Sequence, residues 1–172
     1  MYRMRNAVNV NSKAPVFRGM DIRGTEFNTA TYTGRGNLVI FFYRNSQCQT
    51  CREELKNLAD KYQYITGHDS EVVAISTDSI DEVKNLAVDL QLPYKAISDP
   101  EHRIIDAYGV FDTNTDTAYP ALFLIDRSGM VRYHKIIEGL DDLVSGDEVV
   151  NTLRAMKPGM ASHGGFNPMP SH

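Results

Sequence analysis

The stretch "NLVIFFYRNSQCQTCREELKNLADKYQYI", residues 37–65, passes directly from one periodicity into another. Residues 38–43 are apolar or aromatic without a break. A run that short, rich in Val, Ile and Phe, is a strand buried on both faces, which needs a layer packed above and below it. The segment after it has Leu55, Leu58, Ala59, Tyr62 and Ile65 at spacings of three and four, one face of a helix that Gly67 would close. The pattern then repeats. Residues 71–77 read as a second strand, and Ser79 with Glu82 forms a capping box. Ile80, Val83, Leu86, Ala87 and Leu90 make the next helical stripe. A short strand over 94–98 precedes Asp99 as N-cap, Pro100 at the first helical position and Gly109 as stop. Residues 121–125, a turn over 126–129 and 131–137 form a hairpin. Ser145 and Glu148 open a last helix carrying Val149, Val150 and Leu153, ended near Pro158 and Gly159. Strand–helix alternation and then a hairpin predict an α/β fold, a mixed central sheet with helices on both faces. The Gly- and Thr-rich front, residues 14–36, adds small strands. Residues 1–157 are expected to form one domain, and the Gly-, Pro- and Ser-rich residues 158–172 a disordered tail.

With 172 residues and 42% hydrophobic content, the chain can bury a core without covalent staples. A net charge of −4 argues against nucleic acid as a partner, since phosphate binding needs a basic face. The longest apolar run is far below the ~20 residues that cross a bilayer, so no membrane is expected either. The opening residues carry two arginines and no apolar core of a secretion signal, which favours a cytoplasmic location.

The chemistry sits between the first buried strand and its helix. Cys48 and Cys51 are the only cysteines, three apart at the first turn of the helix, with Arg44 and Arg52 on either side. A thiol reacts as thiolate, and helix N-termini and neighbouring cations lower its pKa from ~8.5. The i, i+3 spacing puts both sulfurs on one side of the turn, where a disulfide can form with little chain movement. Two other readings stand beside a redox pair. Inert buried thiols would also suit a strand–helix junction, and half of a structural zinc site would need four ligands, which no second CxxC or HxxxH supplies. His68, His102 and His134 are scattered singly. No metal and no cofactor are expected. Pro120 is the second clue. It lies just before a strand that reads as central, where it cannot donate to a ladder, and a cis Tyr119–Pro120 bond would account for it.

CxxC-R-E-E after a strand, and P-x-x-F-L-I-D before a D-x-x-G turn, resemble the thioredoxin-fold redox proteins. More narrowly, "APVF" at Ala14, "FFYRNSQCQTCREEL", "SDPEHRIIDAYGV" and "FLIDRSGMVRY" resemble, in that order, the alkyl hydroperoxide reductase/thiol-specific antioxidant family, the peroxiredoxins. The resemblance runs to about Met156. It implies a thioredoxin-like fold and a thiol-based oxidoreductase. Against the family pattern P-x-x-x-T-x-x-C, the chain has Arg44 at the proline, Cys48 at the threonine and Cys51 at the peroxide-reactive cysteine. A thiol is a weaker donor than the hydroxyl it replaces. Pro120 stands where the family has an arginine, which is the thioredoxin-like choice.

The resemblance therefore implies reduction of hydrogen peroxide or organic hydroperoxides through Cys48 and Cys51, with Arg44, Arg52 and Pro120 in support. A thioredoxin-like or other dithiol reductant would restore the thiols, and a homodimer is allowed. The alternatives are a protein disulfide reductase, in which Cys48 attacks and Cys51 resolves, and a redox sensor that switches without turnover. Peroxiredoxin-like surroundings favour Cys51 as the attacking thiolate and Cys48 as the resolving thiol.

Overall fold

The structure, a computed structural model, describes residues 7–156. The tail expected over 158–172 lies outside them. An antiparallel pair, β1 (Arg18–Met20) and β2 (Glu26–Asn28), comes first. Next in the chain are β3 (Asn37–Phe42), α1 (Gln49–Asp60), α2 (Tyr62–Thr66), β4 (Ser70–Ser76), α3 (Ile80–Leu90) and β5 (Lys95–Ser98). After α4 (Arg103–Ala107) come the two-residue strands β6 (Phe111–Asp112) and β7 (Thr117–Ala118), then β8 (Ala121–Ile125), β9 (Val131–Ile136) and α5 (Gly146–Ala155).

The central sheet has the order β5-β4-β3-β8-β9. β3 and β4 pair in parallel, as do β4 and β5, while β8 runs antiparallel to both β3 and β9. The sheet is mixed, as the sequence predicts. All six residues of β3 are buried, because it is the middle strand with a layer on each face. Its side chains alternate between two cores. Val39 and Phe41 face Leu55 and Leu58 of α1, Leu86 of α3 and Leu153 of α5. Leu38, Ile40 and Phe42 face Ile104 and Ile105 of α4, with Phe17 and Phe27 from the front of the chain. The β5 edge is closed by that same front segment: Asp21 Oδ1 accepts from the Ala96 amide at 2.9 Å, and the Ile22 amide donates to the Ala96 carbonyl at 3.0 Å. An edge so covered offers no free ladder to another chain.

Both capping boxes are present. Ser79 accepts from the Glu82 amide and Glu82 from the Ser79 amide, and Ser145 with Glu148 does the same. Three expectations need correction. The helix after β3 is broken at Lys61, whose φ/ψ of −108/9 leaves the helical region and whose amide donates to the Leu58 and Ala59 carbonyls. The helix expected from Pro100 begins at Arg103: Asp99 does cap it, accepting from the Arg103, Ile104 and Ile105 amides, but across a turn in which His102 is left-handed at φ 49. Finally, no peptide bond is cis among the described residues, so Tyr119–Pro120 is trans. The strand starts just after the proline. Its carbonyl accepts from Ile137 at 2.8 Å, the preceding Tyr119 amide donates to Val110 at 2.7 Å, and the first residue paired to β3 is Ala121. A proline at a strand start leaves no ladder donor missing, which removes the reason for a cis bond.

Candidate active site

β3 ends beneath the site. The Tyr43 amide continues the ladder to Ile75 at 3.0 Å, and the chain then turns through residues 44–48 into α1. Cys48 is the N-cap of α1 and Cys51 lies in its first turn. The two are joined as a disulfide with Cα atoms 5.2 Å apart. Cys48 Sγ accepts from the Cys51 amide at 3.2 Å, so a sulfur answers one of the open N–H groups at the helix start. Cys51 Sγ in turn accepts from the Arg44 amide at 3.4 Å. Both sulfurs thus face backbone donors, the arrangement that favours a thiolate once the bond is opened.

Their exposure differs. Cys51 is 1% exposed and packs with Leu55 and Leu58 in the core, whereas Cys48 is half-buried and lines an open cleft. Pro120 is buried in the wall of the same cleft, with Tyr119, Ile137 and Arg44. The fold therefore brings Cys48, Cys51, Arg44 and Pro120 together.

The two arginines act in different places. The Arg44 guanidinium turns towards the β6–β7 hairpin, 3.7 Å from Asp112 Oδ2 and 3.3 Å from Thr115 Oγ1. Asp112 is 6% exposed, so this ion pair is shielded on one side. Arg52 turns away from the sulfurs: Nη1 donates to the Ser46 carbonyl at 2.8 Å and Nη2 pairs with Asp89 of α3. It holds the active-site loop rather than facing the cleft.

Sequence reasoning missed two buried acids near the pair. Glu54, one turn after Cys51, is 0% exposed, and its Oε2 has no hydrogen-bond partner. Burial pushes its carboxyl up to about 7, against the Val144 amide, which donates to it at 3.3 Å. Asp78 is 7% exposed in the loop after β4, and burial with the nearby Glu82 raises it to about 6. Among the described residues, no group of three or more His, Cys, Asp or Glu is arranged to hold a metal ion, and no helix is long and apolar enough to cross a membrane.

The model of the AhpC/TSA family matches residues 10–134. A protein of Synechocystis sp. classed with the peroxiredoxins is 31% identical over 164 residues, covering 90% of this chain and 80% of that protein. The thiol-disulfide oxidoreductase ResA of Geobacillus thermodenitrificans is 27% identical over 155 residues, covering 90% of this chain and 82% of that protein. The crystal structure of AhpC from Enterococcus faecalis shares the fold, with a TM-score of 0.77 at 23% identity over 92% of this chain and 98% of that one.

Proposed function

The chain belongs to the AhpC/TSA family, and on that premise we propose that its Cys48–Cys51 pair reduces peroxides with Cys51 as the attacking thiolate. It is a thioredoxin-fold, thiol-based oxidoreductase of peroxiredoxin type. The Cys51 thiolate attacks one oxygen of the O–O bond. That bond breaks, the sulfur becomes a sulfenic acid, and the other oxygen leaves with a proton as water or an alcohol. The Cys48 thiol then condenses with the sulfenic acid, releasing water and forming the disulfide. A dithiol reductant of thioredoxin type returns two electrons, its own thiols becoming a disulfide.

The observation that carries this assignment is the asymmetry of the pair. Cys51 Sγ accepts from the Arg44 amide and lies in the first helical turn, where an anion is favoured. Cys48 is the sulfur that reaches the cleft, so an incoming reductant meets Cys48 and expels Cys51 as the stabilised thiolate. Cys51 is 1% exposed while the disulfide is formed, so peroxide meets it only after the pair has been reduced. Arg44 contributes positive charge at the cleft and Pro120 a wall against which an extended partner rests. A reducing compartment such as the cytoplasm suits this cycle, and a homodimer is compatible with it.

One observation favours a second assignment. The exposure of Cys48 beside Pro120 also suits a protein disulfide reductase, with Cys48 attacking and Cys51 resolving. Single variants treated with peroxide and a sulfenic-acid trap separate the two. Cys48→Ser accumulates trapped sulfenic acid on Cys51, and Cys51→Ser traps little. The reverse pattern makes the disulfide reductase the better assignment.

A further inference from the structure

Thr50 is the second residue of α1 and lines the cleft beside Cys48. Its Oγ1 lies 3.4 Å from Cys48 Sγ. A sulfur held in the Cys48–Cys51 bond carries no proton, so the hydroxyl is the donor in that contact. The Cys51 amide reaches the same sulfur at 3.2 Å. Two donors therefore converge on Cys48 Sγ, one from the backbone and one from a side chain. Among the described residues, Cys51 Sγ accepts from the Arg44 amide only.

Local structure does not ask for this hydroxyl. A threonine inside a helix commonly bonds the carbonyl four residues back. Here that residue is Ser46, whose carbonyl accepts from Arg52 instead, at 2.8 Å. The N-cap of α1 is Cys48, so Thr50 has no capping role, and threonine is a weak helix former. Among the described residues, the Thr50 hydroxyl has no hydrogen-bond partner besides Cys48 Sγ.

We propose that Thr50 is a catalytic residue of the redox cycle: its hydroxyl donates to Cys48 Sγ and stabilises the Cys48 thiolate. A hydrogen bond to the charged form of a thiol lowers its pKa. Two steps draw on it. In reduction, a thiolate of the dithiol donor attacks Cys48 Sγ, the Cys48–Cys51 bond breaks, and its electron pair leaves on Cys51. The donor's second thiolate then attacks the donor sulfur of the mixed disulfide. That bond breaks, its electron pair leaves on Cys48 Sγ, and the donor departs as a disulfide. A thiolate of lower pKa leaves faster. In oxidation, the Cys48 thiolate attacks the Cys51 sulfenic acid, and hydroxide leaves with a proton as water. A pKa drawn towards ambient pH speeds that closure. The inference rests on the pairing of the two cysteines and not on which one attacks substrate: with Cys48 as the attacking sulfur, the same hydroxyl activates it.

Other charges also act on Cys48. Arg44, paired with Asp112, and Glu138 beyond β9 share its cleft. On its own helix, Arg52 is turned to Ser46 and Asp89, and Glu53 to Gln49. All of these, with the buried Glu54 and Asp78, stay in place when only residue 50 is changed.

The test needs no peroxide, so its failure is separable from failure of the peroxidase assignment. In the whole chain carrying Cys51→Ser, Cys48 is the single thiol. Its thiolate is titrated from pH 5 to 10 by ultraviolet absorbance and by alkylation rate. Adding Thr50→Val, which keeps the branched shape and removes the hydroxyl, raises the Cys48 pKa by about one unit, roughly a tenfold smaller thiolate-to-thiol ratio at a given pH. Thr50→Ser keeps the donor and stays near the threonine protein. In the chain carrying Cys48→Ser, where Cys51 titrates alone, Thr50→Val leaves the pKa in place. If a single-cysteine chain does not fold, the reduced two-cysteine protein is alkylated over the same pH range and the modified position located by fragment mass. An unchanged Cys48 titration in Thr50→Val, an equal shift in Thr50→Ser, or an equal shift at Cys51 overturns the proposal.

Discussion

Glu54 offers the most quantitative test of the packing around the redox pair. Its side chain is 0% exposed, its Oε2 is unpartnered, and burial lifts its carboxyl from 4.5 to about 7. At about 1.36 kcal/mol per pH unit, that gap corresponds to about 3 kcal/mol. The native state holds the proton more tightly than the unfolded chain does. Stability from this group is therefore fully present below about 4.5, is lost as pH rises through about 7, and stays low above. Glu54→Gln removes the titration and keeps an acceptor for the Val144 amide. Any cost of the new amide is the same at every pH, so the change in the mutant–wild-type difference with pH isolates the carboxylate. The assay is urea unfolding of the oxidised protein at pH 4.5 and pH 8. The variant should gain about 2–3 kcal/mol on wild type between those two conditions. With a urea slope of about 1–3 kcal/mol/M, that is a relative midpoint gain of about 1 M or more. A difference between the two proteins that stays constant from pH 4.5 to 8 would refute the reasoning.

Three further outcomes are expected. Ser79→Ala breaks the α3 capping box and should lower stability by about 1 kcal/mol, read from thermal unfolding with the cysteine pair still forming. Arg44→Ala removes the cation at the cleft and should raise the thiolate pKa, tracked by ultraviolet absorbance of the reduced protein. Arg44→Lys should recover part of the shift, and an unchanged titration would remove Arg44 from the site's electrostatics. Pro120→Ala should slow reduction of the disulfide by a protein dithiol more than reduction by dithiothreitol, because only the protein partner rests on the cleft wall. Equal slowing of both would contradict that role.

The features that the sequence shows and those it hides divide along the range of the interactions. β3 and β8 are legible because unbroken apolar runs are strands buried on both faces. The starts of α3 and α5 are legible because a capping box is a four-residue signal. The start of α4 is not, although Asp99 and Pro100 look like a cap and a first turn. His102 stacks on Phe111 with ring centroids 3.9 Å apart and takes a left-handed backbone, which delays the helix to Arg103. A trans Pro120 is equally hidden, since whether a proline needs a cis bond depends on where its strand pairs.

At the site, Cys48, Cys51 and the two arginines are legible from local spacing alone. The direction each arginine takes is not. Arg44 finds Thr115 across 71 positions of chain and Arg52 finds Asp89 across 37. Contacts of that span leave no periodic trace. Glu54 sits in "CREEL", which looks like the solvated edge of a helix. Its spacing of three from Cys51 and four to Leu58 is the available sign that it shares their buried face.

That Cys48 and Cys51 form a peroxide-reducing pair is tested most directly by one single-turnover measurement. Fully reduced protein is mixed with one equivalent of hydrogen peroxide, quenched with an alkylating agent at rising times and weighed. Two alkylatable thiols should become none in one kinetic step, at a rate per thiolate orders of magnitude above that of a free model thiol. A rate per thiolate equal to the free thiol, or two cysteines that still alkylate after the peroxide is consumed, would contradict it.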